Sequence, residues 1–466
     1  RVPSETHSYE LCLVGNLRDF GYAHPGAHTV HGIPVHVDAA IVQVSCGVGW
    51  LCFLTANGRA YSCGINTYGQ LGQGHLDTGL ITPAPLLMPS TQRIARISCG
   101  TCHGGIVTKS GALFTFGCGS YGRLGTGDTS NRATPTQVHM RWSALHLEAK
   151  TVQAAVHAGI PVVKILPAPA SRVPSSSGPA SGIEETSSND DEVILTDISC
   201  GDRHTLVLGA KELATTGSSA NMHAPPSKTS IISFGDGMHG RLGIGNEKDQ
   251  LTGALISTFI APQYAKGVTP TIAAVSAGVA HSAALTSSGE LFTWGNGAAG
   301  QLGHGDSCNS EWCPRQVDHF KHIPLVSVKC GAQHSIAVSR TGAVYTWGRN
   351  KEGQLGQGGL HIASPSNRSQ PQRVHLAVDP MAIQQMQLNA QMQAAAVTAS
   401  DSTTVSAPQH QLQQQDLCVA VRHIVAKEHF CMALDEQSRL FINLVALFLR
   451  GKQHNAAPEE VSTSMG

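Results

Sequence analysis

Residues Gly342 to Gly358 read G-A-V-Y-T-W-G-R-N-K-E-G-Q-L-G-Q-G, and four other stretches keep the same layout. They are G-R-A-Y-S-C-G-I-N-T-Y-G-Q-L-G-Q-G from Gly58, G-A-L-F-T-F-G-C-G-S-Y-G-R-L-G-T-G from Gly111, S-I-I-S-F-G-D-G-M-H-G-R-L-G-I-G from Ser230 and G-E-L-F-T-W-G-N-G-A-A-G-Q-L-G-H-G from Gly289. A layout that returns at long spacing marks a repeat architecture. Each copy has a partner half upstream, such as I-S-C-G-T-C-H from Ile97, I-S-C-G-D-R-H from Ile198, V-S-A-G-V-A-H from Val275 and V-K-C-G-A-Q-H from Val328. A histidine stands fourteen residues before the W-G or F-G glycine in three copies: His103 before Gly117, His281 before Gly295, His334 before Gly348. Trp50 takes that place before Gly64. His204 lies 31 residues before Gly235, so Lys211 to Lys228 reads as a lengthened hairpin loop.

One unit reads physically as four strands. V-S-C-G is a short strand ending at glycine. H-S-x-A-L-T is a strand of small and branched residues, buried on both faces. S-x-G is a tight turn in which glycine takes positive φ. L-F-T-W, which carries Trp294 and Trp347, is an aromatic third strand. G-x-N-x-x-G-Q-L-G is a turn cluster that places one leucine in the core. A fourth, outer strand follows, as at Pro135 to Val138 and Pro314 to Val317. Four antiparallel strands in about 50 residues make a propeller blade, and radial repetition shields most sheet edges. A recurring Trp-Asp pair is missing, which argues against the WD40 type. So is a regular double glycine opening a strand, which weakens the kelch type.

The words W-G-x-N-x-x-G-Q-L-G and C-G-x-x-H-S resemble the repeats of the regulator of chromosome condensation family, in phase in five units and over about two thirds of the chain. The resemblance implies a propeller, usually of seven blades. The fold class expected is all-β: a β-propeller of four-stranded blades, six recognisable and seven expected from the family, with two low-complexity insertions. Five units are complete. A late half at Leu11 to Gly21 and an early half at Arg422 to Phe441 would join into a sixth blade. The propeller is expected over residues 1–441. Residues 141–191 and 376–416 read as inserted loops, one Ser-rich and acidic, the other rich in Gln and Ala, with a helix conceivable over Met381 to Ala396. The stretch from Val152 to Leu166 is the best place for a decayed blade. Residues 442–466 form a divergent tail, where Asn443 and Leu444 stand in place of W-G.

The bulk composition fits short strands. Charged residues are 13% of 466, well below the roughly 25% usual in soluble domains, and glycines number 50. Lys+Arg and Asp+Glu balance at 31 each, so no basic face of the kind nucleic-acid binders carry is indicated. No run reaches the roughly 18–20 apolar residues of a membrane span; Leu440 to Leu449 is shorter and holds Asn443. Cys46, Cys99, Cys200 and Cys330 recur in phase and read as small core residues in a reducing, intracellular compartment, cytoplasmic or nuclear. The chain opens at Arg1, and a piece of a longer protein is expected.

No catalytic, cofactor or metal residue is assigned. Cys99-Gly100-Thr101-Cys102-His103 matches the C-x-x-C-H of covalent haem attachment, yet Gly100 and His103 fall on the repeat's own phase and only Cys102 is new. The repeated histidines His103, His204, His281 and His334, with His429, sit on different blades and cannot converge on one tetrahedral ion. They are expected to bond groups within or between blades. His24, His28, His31 and His36 lack ligand spacing, and His304, Cys308 and Cys313 supply three ligands where zinc needs four. The positions that matter structurally are Gly64, Gly117, Gly235, Gly295, Gly348, the four phased histidines, Trp294 and Trp347.

Two functions are open. One is a non-catalytic protein-interaction propeller, a domain of a larger regulatory protein, which the resemblance extends to ubiquitin ligases of the giant HECT type. The other, implied by the family's founding member, is a guanine-nucleotide exchange factor for a small Ran-like GTPase. Exchange in that member uses an acidic residue just before a repeat histidine and a wedge hairpin. Here those places hold Cys102, Arg203, Ala280 and Gln333, with Glu428 the acidic one; Asp202 is one place early, and Lys211 to Lys228 is the candidate wedge. The expected partner is a protein.

Overall fold

The computed structural model describes residues 7–13, 31–37, 39–76, 79–89, 92–141, 145, 193–210, 229–259, 270–305, 309–351, 353–357, 366–374, 421–427, 430–435 and 440–442. Strands β1 (His7–Leu13) and β2 (His31–Val37) pair antiparallel with each other. Then come five four-stranded antiparallel sheets, each a simple up-and-down meander. Blade I is β3 (Ile41–Cys46), β4 (Trp50–Thr55), β5 (Ala60–Gly64) and β6 (Leu80–Pro85). Blade II is β7 (Ile94–Cys99), β8 (His103–Thr108), β9 (Leu113–Gly117) and β10 (Arg132–Val138). Blade III is β11 (Ile194–Cys200), β12 (His204–Ala210), β13 (Thr229–Gly235) and β14 (Gln250–Leu255). Blade IV is β15 (Ile272–Ala277), β16 (His281–Thr286), β17 (Leu291–Asn296) and β18 (Ser310–Gln316). Blade V is β19 (Leu325–Cys330), β20 (His334–Ser339), β21 (Val344–Gly348) and β22 (Arg368–Val374). A three-stranded sheet follows, of β23 (Val421–Lys427), β24 (Phe430–Asp435) and β25 (Leu440–Ile442).

Each blade lays its first two strands against the first strand of the next: β3 and β4 on β7, β7 and β8 on β11, and so on to β19 and β20 on β23. The core therefore lies between sheets. Every residue of β4, β8, β12, β16 and β20 is buried, as a strand covered on both faces must be. The leucines of the turn clusters, Leu71, Leu124, Leu242, Leu302 and Leu355, are at most 1% exposed, each worth about 1.5–3 kcal/mol of burial. Burial also pushes the Cys63 and Cys330 thiols up to about 12.

Two expectations change. The complete blades number five among the described residues, and a count of six or seven is not established. The chain ends do not share a sheet there either: Leu11 to Leu13 pair with His31 to Ile33, whereas the C-terminal strands pair among themselves. The hairpin between β1 and β2 satisfies those backbone groups locally, which a late half-blade would have offered to the other terminus. On blade I, Val44 is 51% exposed, while its counterparts Ile97, Ile198, Val275 and Val328 are 2–6% exposed against the preceding sheet. The two inserted loops (apart from Arg141, Leu145 and the flanks), the Val152 to Leu166 stretch, Met381 to Ala396, Lys211 to Lys228, His24, His28, Cys308, Glu428, His429 and residues 443–466 lie outside the described residues.

Candidate interaction face

The phased histidines and glycines are cross-strand partners. His103 faces Gly117, His204 faces Gly235, His281 faces Gly295 and His334 faces Gly348, with Trp50 opposite Gly64. The long spacing of blade III changes the hairpin loop and leaves this pairing intact. The glycines are needed here: Gly235 has φ +114°, and a Cβ there would stand 2.4 Å from the Arg203 carbonyl oxygen. The imidazoles need another glycine three residues earlier, since a Cβ at Gly201 would stand 2.7 Å from His204 Cε1 and 2.4 Å from the Gly278 carbonyl oxygen of the next blade. The C-G-x-x-H word thus records close packing of backbone and ring.

These groups lock neighbouring blades. His204 Nε2 lies 2.9 Å from Ser282 Oγ of blade IV, and that hydroxyl donates to the Arg241 carbonyl oxygen of blade III at 2.8 Å. The hydroxyl's single proton goes to the carbonyl, so the ring nitrogen supplies the other and His204 is the Nε2–H tautomer. His103 meets Thr205, and His281 meets Ser335, in the same way. Trp294 and Trp347, both fully buried, hold matching places on β17 and β21 and donate their indole N–H to the Arg241 and Gln301 carbonyl oxygens of the blade before. His334 is buried against Gly331. Burial drives His204 well below the usual histidine range and His281 down to about 3. These rings are neutral structural donors.

Chemistry visible to solvent lies in the turn clusters next to them. In blades I and IV the glutamine of G-Q-L-G accepts from a turn amide: Tyr68 N–H donates to Gln70 Oε1 at 2.8 Å and Ala299 N–H to Gln301 Oε1 at 2.9 Å. Blades II and III read G-R-L-G instead. Arginine has no acceptor, so the equivalent peptide turns its carbonyl inward. Arg123 Nε donates to the Ser120 carbonyl and Arg241 Nε to the Met238 carbonyl, each at 2.9 Å. Reversing that peptide swings the following residue into the left-handed region, and Tyr121 (φ +64°) and His239 (φ +61°) are the positive-φ non-glycine residues described.

The result is an exposed rim across blades II to IV. Tyr121 is 40% exposed, Met238 53%, Leu251 37% and Trp312 49%. The Arg203 guanidinium lies 5.1 Å from the centre of the Tyr121 ring, and it reaches Asp202 at 3.3 Å and Asp236 at 3.9 Å. Asp236 is held from beneath by the buried Arg241 at 3.2 Å, whose guanidinium burial pulls below the ordinary arginine range. Leu251 packs on the Gly122 turn and Trp312 on the Gly240 turn. Tyr68 of blade I, 42% exposed, occupies the place of Tyr121. Sequence reading missed this rim because it weighed the shared letters of the repeat; the signal lay in the change from Q to R.

No group of three metal-ligating side chains gathers among the described residues, and none of the helices there is long and apolar enough to cross a membrane. In the C-x-x-C-H word Cys99 is buried, with its N–H on Ser45 Oγ, and His103 Nε2 lies 2.9 Å from Thr205 Oγ1. A recess of about 120 Å³ lies between His304, Asp318, His319 and Gln370, none of which belongs to the rim.

Blades of this geometry, locked by phased His, Gly and Trp, define a propeller of regulator-type repeats. The Regulator of chromosome condensation (RCC1) repeat matches residues 57–107, 110–159, 288–338 and 341–388, and a second profile of the repeat matches 41–70, 272–301 and 325–354. The chain belongs to this family. Blade III, with its lengthened hairpin, falls outside every matched span yet keeps the geometry. The chain is 28% identical over 334 residues to the Ultraviolet-B receptor UVR8 of Arabidopsis thaliana, covering 71% of this chain and 56% of that protein. It is 30% identical over 319 residues to the human E3 ubiquitin-protein ligase HERC2, covering 68% of this chain and 5% of the ligase. It therefore spans less than two thirds of either relative. Among solved structures, human WBSCR16 matches with a TM-score of 0.56 at 17% identity, over 90% of this chain and 81% of that one, a likeness of fold.

Proposed function

We propose that the chain is a non-catalytic protein-interaction propeller whose partner docks on the rim of Tyr121, Arg203, Met238, Leu251 and Trp312. One observation carries this reading: five large or charged side chains stand exposed over turns that otherwise bury their contents, two of those turns being held in the left-handed conformation. Tyr, Trp, Arg and Met are the residue types enriched where interfaces concentrate their binding energy, and sparsely populated backbone conformations gather at functional sites. The reading includes a place in a larger regulatory protein, of the kind the ubiquitin ligase among its relatives represents, inside the cell in the cytoplasm or nucleus. It also includes a ring of six or seven blades, supported by the bare Val44 face of blade I, which is built to meet another sheet.

The test pairs quantitative affinity capture with nucleotide-release kinetics. Captured partners should be lost on Tyr121→Ala, Arg203→Glu or Trp312→Ala and kept on Val326→Ala, which removes an exposed side chain from the first strand of blade V. Faster release from any small GTPase at catalytic propeller concentrations would overturn the reading in favour of exchange. So would capture that ignores all three rim substitutions.

A further inference from the structure

We propose that Cys102 and Cys118 of blade II form a peroxide-sensitive dithiol that closes reversibly to a disulfide. His103 and Gly117 are the last pair of the β8–β9 ladder, which sets Cys102 and Cys118 opposite one another just beyond it. The Cys118 N–H donates to the Cys102 carbonyl oxygen at 2.9 Å. Facing residues on adjacent antiparallel strands stand about 4.5–5.5 Å apart at Cα, inside the roughly 4.4–6.8 Å that a disulfide spans. Neither thiol is in a disulfide, the two side chains interact, and Cys102 is partly exposed while Cys118 is buried.

The surroundings favour a thiolate, the reactive form of cysteine. Arg123 Nη1 lies 3.0 Å from Cys102 Sγ, and the same nitrogen donates to the Asp202 carbonyl oxygen at 2.9 Å. Ser120 Oγ lies 3.4 Å from Cys118 Sγ. The hydrogen bond between the sulfurs draws Cys118 down to about 5 and pushes Cys102 up; Arg123 favours negative charge on both. The two thiols titrate together, a property of the dyad and not of either residue. Nothing in the repeat requires this arrangement. Cys102 stands at a variable place of C-G-x-x-H, and its counterparts are Arg203, Ala280 and Gln333. Cys118 has Asp236 and Asn296 as counterparts.

The chemistry balances with a peroxide as oxidant. One sulfur of the dyad, as the thiolate, attacks one peroxide oxygen, the O–O bond breaks, and hydroxide leaves to be protonated to water. The sulfenic acid so formed is attacked by the second sulfur. The S–S bond forms, the S–O bond breaks, and hydroxide leaves with the remaining thiol proton as water. Two thiols lose two electrons and peroxide becomes two waters. A dithiol such as dithiothreitol reverses the change by exchange. Closure changes the Cys102 sulfur that Arg123 contacts, and the Arg123 guanidinium lies 5.6 Å from the Tyr121 ring.

The experiment uses the whole chain, treated with hydrogen peroxide, alkylated and digested with trypsin without reduction. Cleavage after Arg96, Lys109 and Arg123 puts Cys102 on 97–109 and Cys118 on 110–123, where it is the single cysteine. The expected product is a cross-link between these peptides, lost on reduction and absent from Cys102→Ser, which keeps Cys99. Arg123→Gln should slow its formation by roughly tenfold, the loss of a cation beside a thiolate. Oxidation confined to the exposed Cys46 and Cys313, or a cross-link that survives in Cys102→Ser, overturns the proposal.

Discussion

Replacing Ser282 with alanine isolates one link of the lock between blades III and IV. The hydroxyl accepts from His204 Nε2 at 2.9 Å and donates to the Arg241 carbonyl at 2.8 Å. That carbonyl keeps the Trp294 indole N–H at 3.0 Å after truncation. His204 has no such reserve. Its ring is fully buried and Nδ1 has no hydrogen-bond partner, so the Nε2–H becomes an orphaned donor. An orphaned buried donor costs about 1–3 kcal/mol, and the volume removed is a single oxygen. The expected loss is about 2 kcal/mol. Ser282→Thr should lose less than alanine, because Thr205 serves His103 and the Arg123 carbonyl from the matching place. Adding Trp294→Phe to Ser282→Ala strips the Arg241 carbonyl of both donors, so the double variant should lose about 1 kcal/mol more than the two singles summed. Urea unfolding read by circular dichroism gives these differences from the midpoint at constant slope. A Ser282→Ala protein within about 0.3 kcal/mol of the parent, or strict additivity in the double variant, would refute the lock.

Gly278→Ala should be among the most damaging substitutions, costing about 3 kcal/mol, because its Cβ would stand 2.5 Å from the Gly331 carbonyl oxygen and 2.7 Å from His281 Cε1. Gly127→Ala, with Thr252 Cγ2 as its nearest contact at 3.9 Å and φ +87°, should cost only the left-handed strain of about 1–2 kcal/mol, and melting curves separate the two. Stability should fall as pH drops below about 6.5: the unfolded histidines take up protons there while the buried rings, His281 down to about 3, do not. The slope should approach about 1.4 kcal/mol per pH unit for each such ring. Burial raises the Asp197 carboxyl, which protonates earlier in the folded chain and opposes that loss, so Asp197→Asn should steepen the acid limb in stability measured against pH. Trp312→Ala should change stability by less than about 0.5 kcal/mol, as solvent-facing substitutions do; a large loss would make it a structural residue and weaken the rim.

Most of the blade was legible because each repeated letter answers to a packing need. The W-G glycine is positive in φ and pressed on a carbonyl, the C-G-x-x-H glycine makes room for an imidazole, and the leucine of G-Q-L-G fills the space between sheets. Such needs recur from blade to blade, so they print a period. Chain termini escaped, since the pairing of β1 with β2 depends on which edge is free and not on a repeated word. The rim escaped for the opposite reason: repetition hides what differs. Asp236 beside Arg241 and Asn296 beside Gln301 occupy the same two places, and only the comparison between them shows that a charged pair has replaced a neutral one.

That replacement makes the origin of the rim testable. If the arginine of G-R-L-G forces the peptide reversal, His239 is strained because of Arg241 and not because of its own identity. Glycine at 239 should then stabilise the protein by about 1 kcal/mol, the left-handed penalty it avoids. The background Asp236→Asn with Arg241→Gln rebuilds the Asn296–Gln301 pair of blade IV, where Gln301 accepts from the Ala299 amide and Ala299 keeps negative φ. There the peptide should turn back, and His239→Gly should instead cost about 0.5–1 kcal/mol in lost backbone restriction. Arg241→Gln alone should be worse than the pair by about 3 kcal/mol, because it leaves the 5% exposed Asp236 carboxylate with the Met238 N–H and the half-exposed Arg203 but without its buried counter-ion. A change of sign for His239→Gly between the two backgrounds, read from unfolding midpoints, ties the exposed rim to one letter of the repeat. The same sign in both would mean that the turn is left-handed for some other cause, and that the arginine merely occupies the space it leaves.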